Sequence, residues 1–398
     1  MSQRIDNETA RRLLLERYAL ADPPRRKIDA DGLLGLIEKI GFVQLDSINT
    51  VARAHHMILF ARNETYRPAL LEGLHEKSRD LFEAWTHDAS VIPTRFWRYW
   101  RPRFEREAPG LLERWSKSRG EPFEDHLDRV LAHVRDNGPV MSRELRTAKG
   151  HGSQGWWVWH PSKSALEYLW RTGQLSVTRR EGFQKVYDLT ERVIPDPERA
   201  ASHEEMIDWA AASALDRMGF ATPSDLARFW DNISIEEARD WCGRNGGHLV
   251  EVEVETARRG SYRRYLMPEA TFDNLDRLGD PPARLRVLSP FDPRIRDRKR
   301  LDALFGFDYR IEVFVPEPQR RYGYYVFPLL EGTRLTGRID MKRTGDRLAV
   351  RRLWLEPGVR ASAGRRQALE AELNRVARFA GCDSFTFEDG ALEGYFPD

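Results

Sequence analysis

The sequence predicts an α+β protein: three tandem winged helix-turn-helix units followed by a C-terminal antiparallel, β-barrel-like domain. Three observations predict it. A run of helices closed by a strand or an alternating hairpin recurs three times along the chain. From about residue 285 helical spacing gives way to alternating strands. The 398 residues, 41% of them apolar, suffice for several cores. The expected domains are residues 1–110, containing a Gln44-Leu45-Asp46 turn, then 111–200, 201–284 and 285–398.

In the first unit, NETARRLLLERYA (7–19) and DADGLLGLIEKI (29–40) have helical spacing, with Asn7 and Asp29 as N-caps and Gly41 as a stop. SINTVARA, from Ser47, reads as a third short helix, and HHMILFAR, from His55, as a strand. In the second unit, EDHLDRVLAHVRDN (124–137) is a helix and GPVMSREL turns into a short one. SKSALEYLWRTG is a third helix, stopped by Gly173. QLSVTRREGFQKVYDL alternates on both sides of Glu181-Gly182, so it is a hairpin, the wing.

The third unit begins with SHEEMIDWAAASALDRMG, with Ser202 and Glu205 at capping-box positions. TPSDLARFWD follows with Pro223 in its first turn, then SIEEARDWCGRNG. HLVEVEVETARRGSYRRYLMP is its wing, turning at Gly260. In the last domain RIEVFVP, RYGYYVFPLL and TRLTGRIDMKRTGDRLAVRRLWLEP read as strands, with turns at Glu317-Pro318, Glu331-Gly332 and Thr344-Gly345. RRQALEAELNRVARFAG is an amphipathic helix and DSFTFED a final strand.

No run approaches the ~18 apolar residues that cross a membrane, and MSQRIDNETARR has no apolar leader region. Cys242 and Cys382 match no metal spacing and offer no disulfide framework, which points to a reducing, cytoplasmic setting. A net charge of +2 does not by itself indicate nucleic acid. The placement of the cations does. Arg179, Arg180 and Lys185 flank the second wing. Arg258, Arg259, Arg263 and Arg264 flank the third, and DPRIRDRKR adds Arg294, Arg296, Arg298, Lys299 and Arg300. One such cluster is an ordinary solvated face; three at equivalent or adjacent turns suit a phosphate-facing surface. His55-His56 lacks an acidic or thiol partner at a standard spacing, so no metal is expected. Trp156, Trp157 and Trp159 read as a core plug more than a base-stacking platform. Neither a GxxxxGKS nor a GxSxG pattern occurs, and no cofactor is expected.

The stretch GFVQLDSINTVARAHH (41–56) remains. In extended chain Phe42, Gln44 and Asp46 face one side, Val43 and Leu45 the other. Two readings are open. Asp46 precedes SINTV and can cap that helix. Alternatively, Gln44 and Asp46 face a common space and carry out a reaction. Hydrolysis of an N-glycosidic bond passes through a sugar with oxocarbenium character. One carboxylate can stabilise that cation and take a proton from a water that an amide holds. A purine alkylated at N7 is already positive and leaves without a general acid.

The longer pattern resembles the AlkZ-like DNA glycosylases, and within them is most similar to the YcaQ (AlkX) branch, whose motif is Gln-apolar-Asp in place of Gln-apolar-Gln. Here it stands as Gln44-Leu45-Asp46. WWVWHPSKSALEYLWRTGQL, GFQKVYDLTERVIP, VLSPFDPRIRDRKRLDALFGFDYRIEVFVP and RYGYYVFPLL extend the match from about residue 8 to about 355. The resemblance implies a monofunctional glycosylase that releases N7-alkylated purines and unhooks interstrand crosslinks, with three winged helices and a β-barrel around the DNA. It implies Asp46 as the catalytic carboxylate and Gln44 as its water-positioning partner. A DNA-inserted hairpin is assigned to DMKRTGDRL, with Lys342 and Arg343 near its tip. The expected partner is double-stranded DNA containing alkylated or crosslinked purines. The expected state is a monomer without membrane association, cytoplasmic and at the bacterial nucleoid. A crosslinked purine cannot be rotated into a closed pocket, so an open cationic surface at Asp46 is expected. No lysine is placed for a Schiff base, so strand cleavage is not expected. The alternative is a non-catalytic winged-helix DNA-binding regulator in which Asp46 is only a helix cap.

Overall fold

The structure is a computed structural model and describes residues 3–118, 123–145, 161–195 and 199–396. It is a mixed α+β chain in two units. One comprises Met1–Pro68, Ala214–Asp225 and Cys242–Asp398, the other Ala69–Ser213 and Leu226–Trp241.

In the first unit the helix Asn7–Arg17 is capped by Asp6, whose carboxylate accepts the Thr9 N–H at 2.9 Å. Asn7, the expected cap, instead donates to the Glu255 and Leu304 carbonyls. Asp29 caps the helix Ala30–Ile40 through the Gly32 N–H, and Gly41 ends it at φ 95°. SINTVARA is not a helix: residues 45–53 are irregular, and the next helix is Ala54–Arg62. HHMILFAR, expected as a strand, lies inside that helix. Eight of its nine residues are buried, so its sequence shows no amphipathic period; a short, uninterrupted apolar run fits either element.

The hairpin expected as the third wing is Leu249–Glu255 with Tyr262–Pro268, and the N-terminal strand Gln3–Ile5 adds to it in parallel. Leu13, Leu14, Tyr18, Phe220, Val252, Met267, Leu301 and Leu304 belong to the core beneath it. The C-terminal sheet runs in the order Leu285–Val287, Val326–Glu331, Arg334–Thr344, Arg347–Leu355, Ser384–Phe387. Its last pairing is parallel. Bulges at Leu329/Leu330 and Asp340/Met341 curl it into a half-barrel. Gly337 sits at the curl, where a Cβ would collide with the Trp354 carbonyl. The helix Ala363–Phe379 is tied to the sheet by Glu372, which accepts the Val287 N–H at 3.1 Å. RIEVFVP is a further correction: residues 306–325 form no strand, and Glu317–Gln319 is a single 3-10 turn. Pro316 and Pro318 lack the donors a ladder needs.

The second unit contains a hairpin that the sequence did not reveal, Leu81–Trp85 with Ala89–Pro93, and the long helix Trp97–Ser118. Phe82, Trp97, Trp100, Trp209 and Trp230 form an edge-on and stacked aromatic cluster. The expected second wing is Leu175–Glu181 with Gln184–Leu189. Gly182 and Phe183 both have positive φ, 54° and 70°, as a type I′ turn requires. Ser202 and Glu205 form the reciprocal capping box. Of GPVMSREL, residues 138–145 are a short strand, Val140–Met141, and a turn rather than a helix. Trp156, Trp157 and Trp159 lie outside the described residues.

Candidate active site and nucleic-acid interface

The Gln44-Leu45-Asp46 turn leaves the helix Ala30–Ile40 through Gly41 and the short extended segment Val43–Gln44. Val43 and Leu45 are buried and anchor it. Gln44 is buried too, 6% exposed, whereas Asp46 is half-buried. The two side chains expected to face a common space thus differ in exposure. Asp46 accepts the Ile48 N–H at 2.7 Å, closing an Asx turn. No helix starts after it; the next begins at Ala54, and Arg53 at its N-cap makes no side-chain capping bond. The helix-cap reading of Asp46 thus loses the helix it needs.

The SPFDP and RYGYYVFPLL segments supply groups that act on this turn or on the helix after it. Tyr325, in RYGYYVFPLL, is 1% exposed and its phenol is pushed above its ordinary range, chiefly by burial and also by the Asp46 charge; its hydroxyl lies beside Ser289 of SPFDP. In the same motif Asp292 receives Arg62 in a two-pronged pair at 2.7 and 3.3 Å, both side chains wholly buried. Arg62 also donates to the Tyr18 and Ile58 carbonyls, so SPFDP fixes the helix that follows the Asp46 loop. The loop is pinned on its other side by the long hairpin, where the Arg343 N–H donates to the Thr50 carbonyl at 2.7 Å. Sequence reasoning did not single out Tyr325, Ser289 or Asp292. Their only signal was membership of aromatic and proline-rich blocks with no motif chemistry of their own.

The expected cations separate into two groups. Arg258, Arg259, Arg263, Arg264, Arg298 and Lys342 are exposed. Arg258 and Arg263 share one surface concavity with Thr256, Ser261 and Asp302. Arg264 lies 3.8 Å from both Glu251 and Glu253. Arg343 is exposed, but its guanidinium bonds the Gly345 and Ala380 carbonyls. Arg179 is paired with Glu181 at 2.6 Å. Arg180 and Lys185 depart from the expectation of phosphate-facing wing residues. Arg180 makes a bidentate pair, 2.8 and 2.7 Å, with Glu83, which is 3% exposed. Lys185 bonds Glu167 at 3.0 Å and sits 3.4 Å from the centre of the Trp170 ring. Arg296 is likewise turned inward over the Phe42 ring at 5.3 Å, and burial lowers its guanidinium to about 10.

His56 and Tyr66 are joined by a 2.8 Å hydrogen bond, and burial together with Arg53 lowers the imidazole to about 4. Among the described residues no group of three or more His, Cys, Asp or Glu side chains could hold a metal ion. No helix among them is long and apolar enough to cross a membrane.

A buried Gln and a half-buried carboxylate thus stand on a braced, non-helical turn beside a curled sheet. The family model described as DNA glycosylase AlkZ-like matches residues 37–379, and the chain belongs to that family of enzymes, the AlkZ-like DNA glycosylases. Among solved structures the chain is similar to the Streptomyces sahachiroi DNA glycosylase AlkZ, with a TM-score of 0.65 and 16% identity. The match covers 97% of this chain and 100% of that one. At that identity the likeness shows a shared fold.

Proposed function

We propose that the protein hydrolyses the N-glycosidic bond of N7-alkylated purines in double-stranded DNA and unhooks interstrand crosslinks made through such purines. Asp46 stabilises the oxocarbenium-like deoxyribose and accepts a proton from the attacking water, and Gln44 holds that water. The alkylated base leaves as a neutral purine, so no general acid is required. The observation that carries this reading is the half-buried Asp46 carboxylate, oriented by the Ile48 N–H on a turn that caps no helix. The pinning of the Asp46 loop by the Arg343 N–H supports DMKRTGDRL as the hairpin that enters DNA. Helices followed by hairpins, repeated along the chain, support three winged-helix units bounded near residues 110, 200 and 284. DNA contacts are assigned to the exposed Arg258, Arg259, Arg263, Arg264, Arg298 and Lys342. The protein acts as a monomer.

The test is incubation with a duplex carrying one N7-methylguanine, followed by detection of abasic sites, beside a duplex crosslinked through N7 of guanine. Abasic sites from the first and two separated strands from the second are expected. Intact DNA in both reactions, with the duplex bound, refutes the proposal.

A further inference from the structure

The segment expected as the strand RIEVFVP is instead a braced loop with an aromatic tip. Glu312 accepts the N–H groups of Arg321, Tyr322 and Gly323 at 3.0, 2.9 and 3.0 Å. Those three bonds hold its carboxyl below the usual range despite some burial. The Val315 N–H returns to the Glu312 carbonyl, and Arg320 Nε donates to the Val315 carbonyl, both at 2.9 Å. Tyr322 is clamped by Arg338 at 4.2 Å and meets the Trp354 ring edge-on. On this frame Phe314 is 94% exposed. Among the described residues four large hydrophobic side chains are exposed, and Tyr324, at 40%, is a second from this loop. A lone surface aromatic is ordinary. A phenyl ring held out almost completely by a loop braced through its own hydrogen bonds is a presented group.

The loop also leads to the active site. Glu312 and Gly323 close it, Phe314 is two residues beyond one end of the closure, and Tyr325, whose phenol feels the Asp46 charge, is two residues beyond the other. Two residues span at most about 7 Å, so the two steps and the Glu312–Gly323 bond leave the Phe314 backbone within roughly 25 Å of Tyr325, less than one turn of duplex. The charges in residues 306–325 balance: Arg310, Arg320 and Arg321 against Asp308, Glu312 and Glu317. What the loop offers is therefore apolar contact more than neutralisation of phosphate.

We propose that Phe314 is a wedge that enters the base stack of duplex DNA near the lesion, opening a step while Asp46 meets the sugar. Apolar side chains inserted between base steps unstack them and kink the duplex. This rests on the glycosylase reading above, but its readout is separate from excision. The Asp46→Asn protein is mixed with duplexes carrying 2-aminopurine at successive positions within one turn of an N7-methylguanine. Fluorescence is expected to rise at one step, to stay flat with Phe314→Ala, and to be restored with Phe314→Leu. Affinity should fall about three- to thirtyfold with Phe314→Ala, while the dependence of log K on log salt keeps its slope, since a phenyl ring neutralises no phosphate. Equal fluorescence and affinity for Phe314→Ala and its parent overturn the proposal. So does a change confined to sedimentation, which would place Phe314 against a second copy of the chain. If Asp46→Asn retains full excision, the catalytic assignment fails while the fluorescence result still decides the wedge.

Discussion

Replacing Asp46 by Asn removes one charge and leaves the turn. The Asn carbonyl oxygen can accept the Ile48 N–H that Asp46 accepts at 2.7 Å, because Asx turns form with either residue. That bond is worth about 1 kcal/mol and is kept, so the melting temperature should move by less than about 2 °C. What disappears is attraction between the carboxylate and a cationic sugar. Asp46 is half-buried, so the effective dielectric lies between that of a partly shielded pair and bulk water. At about 4 Å this gives roughly 1–4 kcal/mol, or about five- to a thousandfold in rate. Loss of the proton acceptor is worth about 10²–10⁴-fold on its own. The two effects act through the same atoms and do not simply multiply. Single-turnover excision of N7-methylguanine should therefore fall by at least about a hundredfold. The duplex Kd should remain within about threefold, since an uncharged Asn cannot repel phosphate more than Asp does. A single-turnover rate within about threefold of the parent, with unchanged binding, would mean that the charge is not used in the transition state. A drop of more than about 5 °C in melting temperature would assign Asp46 to the turn instead.

Three further outcomes follow from the same geometry. His56 is held at about 4, below its ordinary 6.5, so the unfolded chain binds its proton more readily between those values. Its contribution is complete above about pH 6.5 and is lost as pH falls toward 4, by about 3 kcal/mol in all; thermal melts of His56→Gln should depend less on pH in that window, and parallel curves would refute the assignment. Arg180→Ala strands the buried Glu83 carboxylate and should cost about 3–5 kcal/mol, read as a fall of more than about 5 °C in the melting temperature with the salt slope of DNA binding unchanged; an unchanged melt and a shallower slope would return Arg180 to the DNA surface. Replacing the exposed Arg258, Arg259, Arg263 and Arg264 together by Ala should do the reverse, making the slope shallower by about 1 for each phosphate no longer neutralised, with a melting temperature within a few degrees of the parent; a constant slope would remove that wing from the interface.

Much of the fold was legible wherever the deciding signal is local. Ser202 with Glu205, Gly41, Gly173 and the Gly182 turn all act within a few residues, through capping bonds or a positive φ that glycine tolerates. The alternation in 326–355 was equally clear, because a sheet with one enclosed face writes its period into the sequence. The helix Ala54–Arg62 was misread because it is buried nearly all round and has no polar face. RIEVFVP alternates convincingly, but its backbone groups are engaged by Glu312 and its neighbours rather than by a ladder.

By itself the sequence determined the caps, stops and hairpin turns, the Gln-Leu-Asp triplet and the family, since each depends on residues close together or on their order. Tertiary structure alone decided what those residues face. Arg180 and Arg264 both flank a wing, yet one is matched to a carboxylate 97 positions away and the other stands 75% exposed. Asp46 could not be told from a helix cap until the seven residues after it proved irregular. The reason is that burial and pairing of a charge depend on whatever the rest of the chain brings beside it, and solvation by a distant partner leaves no mark on local spacing.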